Sequence, residues 1–178
     1  MGISAKQAEV LIQQLVVLVV DDNPFMRTVV RNLLANIGVK KVFDAGDGIA
    51  ALEMIRHAAP DIVVLDWEMP LLNGPELVRI VRSPGVFPMP DIPIIMLTAH
   101  GERWRIVEAV KLGVNEFLCK PVSAKALLDR IISILLKPRE TIQVGDYYGP
   151  APRRVMARTA MAPESEPAVA AEAMQSDR

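Results

Sequence analysis

Carboxylates at Asp21, Asp22 and Asp66, a hydroxyl at Thr98 and an ammonium at Lys120 each stand at the end of a short apolar run. The runs are Val16–Val20, Asp61–Leu65, Ile92–Leu97 and Asn115–Cys119. Each run reads as a buried parallel strand. In an open α/β sheet the carboxyl ends of such strands form the edge where ligands bind. Side chains distant in sequence then share one pocket. Carboxylates there suit a divalent cation, one carboxylate can react, and a hydroxyl with an ammonium can receive an anion. Together these are the chemical parts of a phosphoryl-accepting aspartate.

The elements that must position these groups alternate regularly from Val16 to Leu136. After Val16–Val20, Asp22-Asn23-Pro24 opens a helix to about Ile37, with Val29, Val30, Leu33, Leu34 and Ile37 as its apolar stripe and Gly38 as its stop. A short strand follows at Lys41–Asp44, then a helix over about Asp47–His57. The third strand is Ile62–Leu65, and Gly74-Pro75 begins the next helix. Ser83 to Pro90 carries three prolines and a glycine and reads as a loop. The fourth strand is Ile92–Leu97, followed by a helix over about Glu102–Leu112. The fifth strand is Val114–Cys119, and the last helix covers about Ser123–Leu136. Apolar strands alternating with amphipathic helices imply a parallel sheet covered on both faces.

The flanks read differently. Residues 4–14 form a further helix, with Ser4 and Gln7 spaced as a capping box and Ala8, Leu11, Ile12 and Leu15 at helical spacing. It either covers part of the domain, the favoured reading, or offers an apolar stripe to a partner. Residues 137–178 hold five prolines and eight alanines, with six basic and six acidic side chains. Large apolar residues are scarce, so this segment is expected to be a flexible tail. Within it, 144–154 contains both tyrosines beside two arginines, a composition that suits either a docking segment or a tail that keeps the chain soluble.

Composition narrows the function classes. The net charge of −1 gives no sign of a nucleic-acid surface. No apolar stretch approaches the roughly 18 residues of a membrane span, and the first residues lack a signal-peptide layout, so a cytoplasmic protein is expected. The single cysteine, Cys119, rules out an internal disulfide and reads as a buried free thiol.

From Leu15 to Leu136 the chain resembles the receiver domain of two-component response regulators. The resemblance rests on Asp21-Asp22, on Val63-Val-Leu-Asp66-Trp-Glu-Met-Pro70 with Asn73-Gly74, on Thr98-Ala99, and on Lys120-Pro121. Taken singly, Asp21 or Asp22 reads as a helix cap before Pro24, Thr98 as a strand-end hydroxyl and Lys120 as a solvated lysine. Their joint occurrence at strand ends carries the resemblance. It implies a three-layer, flavodoxin-like (βα)5 sheet of strand order 2-1-3-4-5, with 1–14 as an extension, 15–136 as the receiver domain and 137–178 as the tail.

The resemblance also implies roles. Asp66 is the phosphoacceptor. Asp22 and Asp66 bind Mg²⁺ directly, Asp21 acts largely through water, and the Glu68 backbone carbonyl completes the protein ligands. Lys120, the Thr98 hydroxyl and the Ala99 N–H receive the phosphoryl oxygens, and the Lys120–Pro121 peptide is cis. Glu68 departs from many family members: its carboxylate reaches the metal, repels the phosphoryl group or steers water. His100 is a phosphate contact or a solvated histidine. Phe117 matches an aromatic switch that turns inward when Thr98 moves, against the plainer reading of a core aromatic. The output face is then built by the helix over about 102–112, the fifth strand and the last helix. On it Trp104, with Arg105 beside it, is an interface anchor or else packs inward.

These features imply a stand-alone response regulator that takes a phosphoryl group from a sensor histidine kinase or a histidine phosphotransfer protein and switches a protein-binding surface. It is expected to be a phosphoacceptor rather than an enzyme, without a DNA-binding output module or membrane attachment. Two alternatives stand beside it. One is a receiver-fold scaffold that works without phosphorylation. The other is an Mg²⁺-dependent phosphatase with an aspartyl-phosphate intermediate, which Glu68, in place of that class's second aspartate, disfavours.

Overall fold

The computed structural model describes residues 5–99 and 101–153. Helix α1 (Ala5–Gln14) leads into an alternation of β1 (Val16–Val20), α2 (Pro24–Ile37), β2 (Lys41–Ala45), α3 (Gly48–Ala58), β3 (Ile62–Asp66), α4 (Gly74–Val81), β4 (Ile94–Thr98), α5 (Arg103–Leu112), β5 (Glu116–Cys119) and α6 (Ala124–Leu136). Two short strands, β6 (Thr141–Val144) and β7 (Tyr147–Pro150), follow. The first five strands form one parallel sheet in the order β2-β1-β3-β4-β5, as the resemblance implied.

Strand periodicity explains the three layers. Alternate side chains point to opposite faces. Leu18, Val20, Val63, Leu65, Ile94 and Met96 pack with Ala51, Ile55, Leu77, Val78, Val81 and Ala109 of α3, α4 and α5. Val17, Val19, Ile62, Val64, Ile95, Leu97 and Leu118 pack instead with Val30, Leu34, Leu127 and Ile131 of α2 and α6. Burial on both faces accounts for the near-continuous Val/Ile/Leu runs. Helix α1 joins the second cluster through Ile12, with Leu15 just after it, so it covers part of the domain. Ser4, its expected cap, lies outside the described residues.

Local signals set the helix ends. Asn23, rather than either aspartate, caps α2 by accepting from the Phe25 and Met26 N–H groups, and Gly38 closes it at φ +108°. Asn73 and Glu76 form a reciprocal capping box on α4. Strand β4 starts two residues after the apolar run does, because Pro93 has no N–H to donate.

Residues 137–153 depart from the expected flexible tail. β6 and β7 pair antiparallel from Thr141↔Pro150 to Val144↔Tyr147, with a turn at Gly145. An isolated two-stranded hairpin is marginal in water, and this one is docked. Tyr148 donates to Asp91 at 2.6 Å, while within the hairpin Tyr147 donates to the Pro150 carbonyl at 2.7 Å. Gly113, the α5 stop at φ +87°, lets the hairpin approach: a Cβ there would stand 2.5 Å from the Tyr148 carbonyl oxygen. Polar anchors order the segment, so its low content of large apolar residues was a poor guide. Residues 154–178 lie outside the described residues.

Cys119 is exposed, not buried. It is the last residue of the edge strand, and among the described residues no neighbouring strand lies beyond it.

Candidate functional site

The strand register brings the tips together. Asp66 stands opposite Leu97, and Thr98 opposite Cys119, so β1, β3, β4 and β5 end at one level. Asp21, Asp22 and Asp66 each place a carboxylate oxygen within 4.8 Å of the others. Asp21 and Asp66 are buried and Asp22 is exposed.

The acidic loop is fixed from behind. One Asp21 oxygen accepts the Asn23 N–H at 2.8 Å, and the other accepts from Lys120 Nζ at 3.1 Å. Arg27 of α2 donates to the carbonyls of Asp21 (2.8 Å) and Asp22 (3.3 Å) while pairing with Asp44 of β2 at 3.1 Å. Sequence reading passed over Arg27; its signal was a charged residue one helical turn into α2, close after the acidic pair. Glycine is required at 74, where a Cβ would lie 2.5 Å from the Asp66 carbonyl oxygen.

Lys120 is the one cation within ion-pair distance of this cluster among the described residues. Its Nζ lies 2.9 Å from Asp66 Oδ1 and 3.1 Å from Asp21 Oδ2. The Lys120–Pro121 peptide is cis. Burial pushes the Asp66 carboxyl above its ordinary range; Lys120 pulls it back only in part, and Asp21 pushes it further. Burial would lower the Lys120 ammonium, but its contacts with Asp66 and then Asp21 outweigh that and hold it above its usual value. The pocket sets three carboxyl groups against one ammonium. Such a cluster of hard oxygens with surplus negative charge fits a small divalent cation.

Thr98 is fully buried at the end of β4, and Ala99 follows at the exposed mouth. Phe117 is half-buried on β5. The Glu68 carboxylate stands apart from the acidic trio and pairs with Arg105 Nη1 at 2.9 Å. Arg105 is turned inward rather than outward, its guanidinium 5.4 Å from the Trp67 ring and 5.0 Å from that of Trp104. Trp104 itself is 56% exposed and so does not pack inward. His100 lies outside the described residues.

Comparison with known proteins agrees with this geometry. The family model described as the response regulator receiver domain matches residues 17–132. Chemotaxis protein CheY-3 of Vibrio cholerae is 35% identical over 125 residues, covering 70% of this chain and 95% of that protein. Chemotaxis protein CheY of Pseudomonas aeruginosa is 37% identical over 118 residues, covering 66% and 94%. Among solved structures, the Francisella response regulator 1452 receiver domain superposes with a TM-score of 0.61 at 31% identity, covering 70% of this chain and 98% of that one.

Proposed function

This chain belongs to the response regulator receiver domain family and is a two-component response regulator, and from that premise we propose that it accepts a phosphoryl group on Asp66 from a phosphohistidine. The observation that carries the proposal is the placement of Lys120 between Asp66 and Asp21, inside a pocket with three carboxylates.

An Asp66 carboxylate oxygen attacks phosphorus, an O–P bond forms, and the P–N bond to the donor imidazole breaks. Asp22, Asp66 and the Glu68 backbone carbonyl would hold Mg²⁺, with Asp21 acting largely through water, as the family resemblance implies. Bound there, Mg²⁺ would offset the charge of two anions brought together. Lys120 supplies fixed positive charge to a phosphoryl oxygen, and the Thr98 hydroxyl and Ala99 N–H take others. Catalysis of this kind is mostly positioning and electrostatics. Glu68, held by Arg105, is drawn from the metal toward α5, which favours the reading in which it tunes access of water. Phe117 and Thr98 act as the switch, and exposed Trp104 on α5 anchors a protein target.

The donor is a sensor histidine kinase or a histidine phosphotransfer protein, and the protein works in the cytoplasm as a phosphoacceptor rather than a turnover enzyme. The exposed Cys119 thiol suits a reducing compartment. The test is incubation with phosphoramidate and Mg²⁺. Wild type should take one phosphoryl group per chain and Asp66→Ala none; equal labelling of the two would refute the assignment.

A further inference from the structure

β5 is an edge strand of the sheet, and an open strand edge needs cover. Residues 139–153 of the same chain supply it at the amino end. Arg139 donates to the Asn115 carbonyl and, at 3.1 Å, to that of Ala151. Arg153 pairs with Glu116, which also accepts the Ser133 hydroxyl at 2.9 Å and faces Arg130 of α6 at 3.8 Å. Glu116 is 7% exposed, where an unpaired carboxylate would be costly, so the C-terminal segment brings a counter-charge that the domain needs.

Next along the strand, Phe117 lines one groove with Ile106 and Val110 of α5, Arg130 of α6, and Pro152 and Arg153. Three residues after Phe117, Lys120 bridges Asp66 and Asp21. A four-residue strand is thus held by charge at both ends, with the groove wall between them.

We propose that residues 139–153 are an intramolecular strap over the α5–β5–α6 face, latched by Arg153 on Glu116, and that phosphoryl uptake at Asp66 loosens it. This rests on the phosphoryl-accepting reading above. A phosphoryl group gives Lys120 new oxygen partners. The resulting shift at the carboxyl end of β5 is carried along a short rigid strand to Phe117 and Glu116, where the strap is seated. A protein target for this face then competes with the strap. Linkage demands the converse: releasing the strap raises the affinity of the acceptor site for a phosphoryl group.

Both tyrosines of the chain lie in the hairpin, so fluorotyrosine places every label on the strap. Full-length labelled protein is titrated with beryllofluoride and Mg²⁺, and fluorine NMR reads bound beryllofluoride and the strap in one spectrum. Both tyrosine resonances should move on saturation toward their positions in Arg153→Ala. Arg153→Ala and Glu116→Gln should bind beryllofluoride about fivefold more tightly than wild type. Stationary tyrosine resonances beside a saturated beryllofluoride signal would overturn the strap while leaving the acceptor site intact, as would wild-type affinity in both variants. Absence of any bound beryllofluoride in wild type would overturn the acceptor reading itself, and the coupling with it.

Discussion

The two ends of β5 present opposite electrostatic arrangements. At the carboxyl end one ammonium, Lys120, faces the carboxylates of Asp21 and Asp66, with Asp22 close by. At the amino end one carboxylate, Glu116, faces the guanidinium groups of Arg153 and Arg130 and the hydroxyl of Ser133. The amino end is closed, because the protein supplies every partner its buried charge requires. The carboxyl end is left with surplus negative charge and a carboxyl pushed above its usual range by burial. A closed cluster fastens chain segments together; an open one leaves room for a cation and an incoming anion. Burial alone does not separate the two, since Glu116 and Asp66 are about equally covered. The balance of partners does.

The largest effect that bears on this contrast is expected at Lys120. Lys120→Met should slow phosphoramidate labelling by roughly 10²–10³-fold, the range seen when one preorganised group is removed from an anion site; a loss below tenfold would deprive the carboxyl end of its special character. Glu116→Ala should instead act on folding, lowering the urea-derived stability by about 2 kcal/mol while Asp66 still takes label. That is less than the loss of a member of a fully buried pair, because Arg153 and Arg130 can turn toward water. Abolished labelling with normal stability would reverse the roles assigned to the two ends.

The smallest effect concerns the metal-free site. A folded-state pKa raised above the unfolded one means that the native protein holds the Asp66 proton more tightly than the unfolded chain does. That contribution to stability is present below the ordinary carboxylate range and is lost as pH rises through the folded value. Where Asp66 is ionised its burial is therefore a net cost, and Asp66→Asn should raise the melting temperature at pH 7. The gain should vanish below the carboxylate range. A lower melting temperature at pH 7 would mean that the Lys120 contact outweighs the cost of burial.

Much of this was legible in the sequence because it depends on periodicity and on punctuation. Apolar runs ending before Asp, Thr or Lys marked four of the five strands and the side chains at their tips. Gly38, Gly74-Pro75 and Ser123 marked helix ends by backbone chemistry that acts locally. What escaped depends on long-range partners. Asn23, directly before Pro24, holds the cap position, while Asp21 pairs with Lys120, ninety-nine residues away. The inward turn of Arg105 needs Trp67, Trp104 and Glu68 at once. The hairpin was missed because Gly113, Glu116, Arg139 and Arg153 order it mainly by close approach and charge, neither of which shows in the apolar content of 137–153. A glutamate within the fifth strand was the available clue: a buried carboxylate must find a cation, and Arg153 is one of the two that pair with it.

The most direct measurement is borohydride trapping of the phosphorylated protein followed by peptide mass spectrometry, with and without chelation of Mg²⁺. Borohydride reduces an acyl phosphate and leaves a mark on the carboxylate that carried it. The expected result is a single mark on Asp66, absent when Mg²⁺ is chelated. A mark on any other residue, or the same mark on Asp66 after chelation, would contradict the assignment of the β5 carboxyl end as a cation-dependent phosphoryl acceptor.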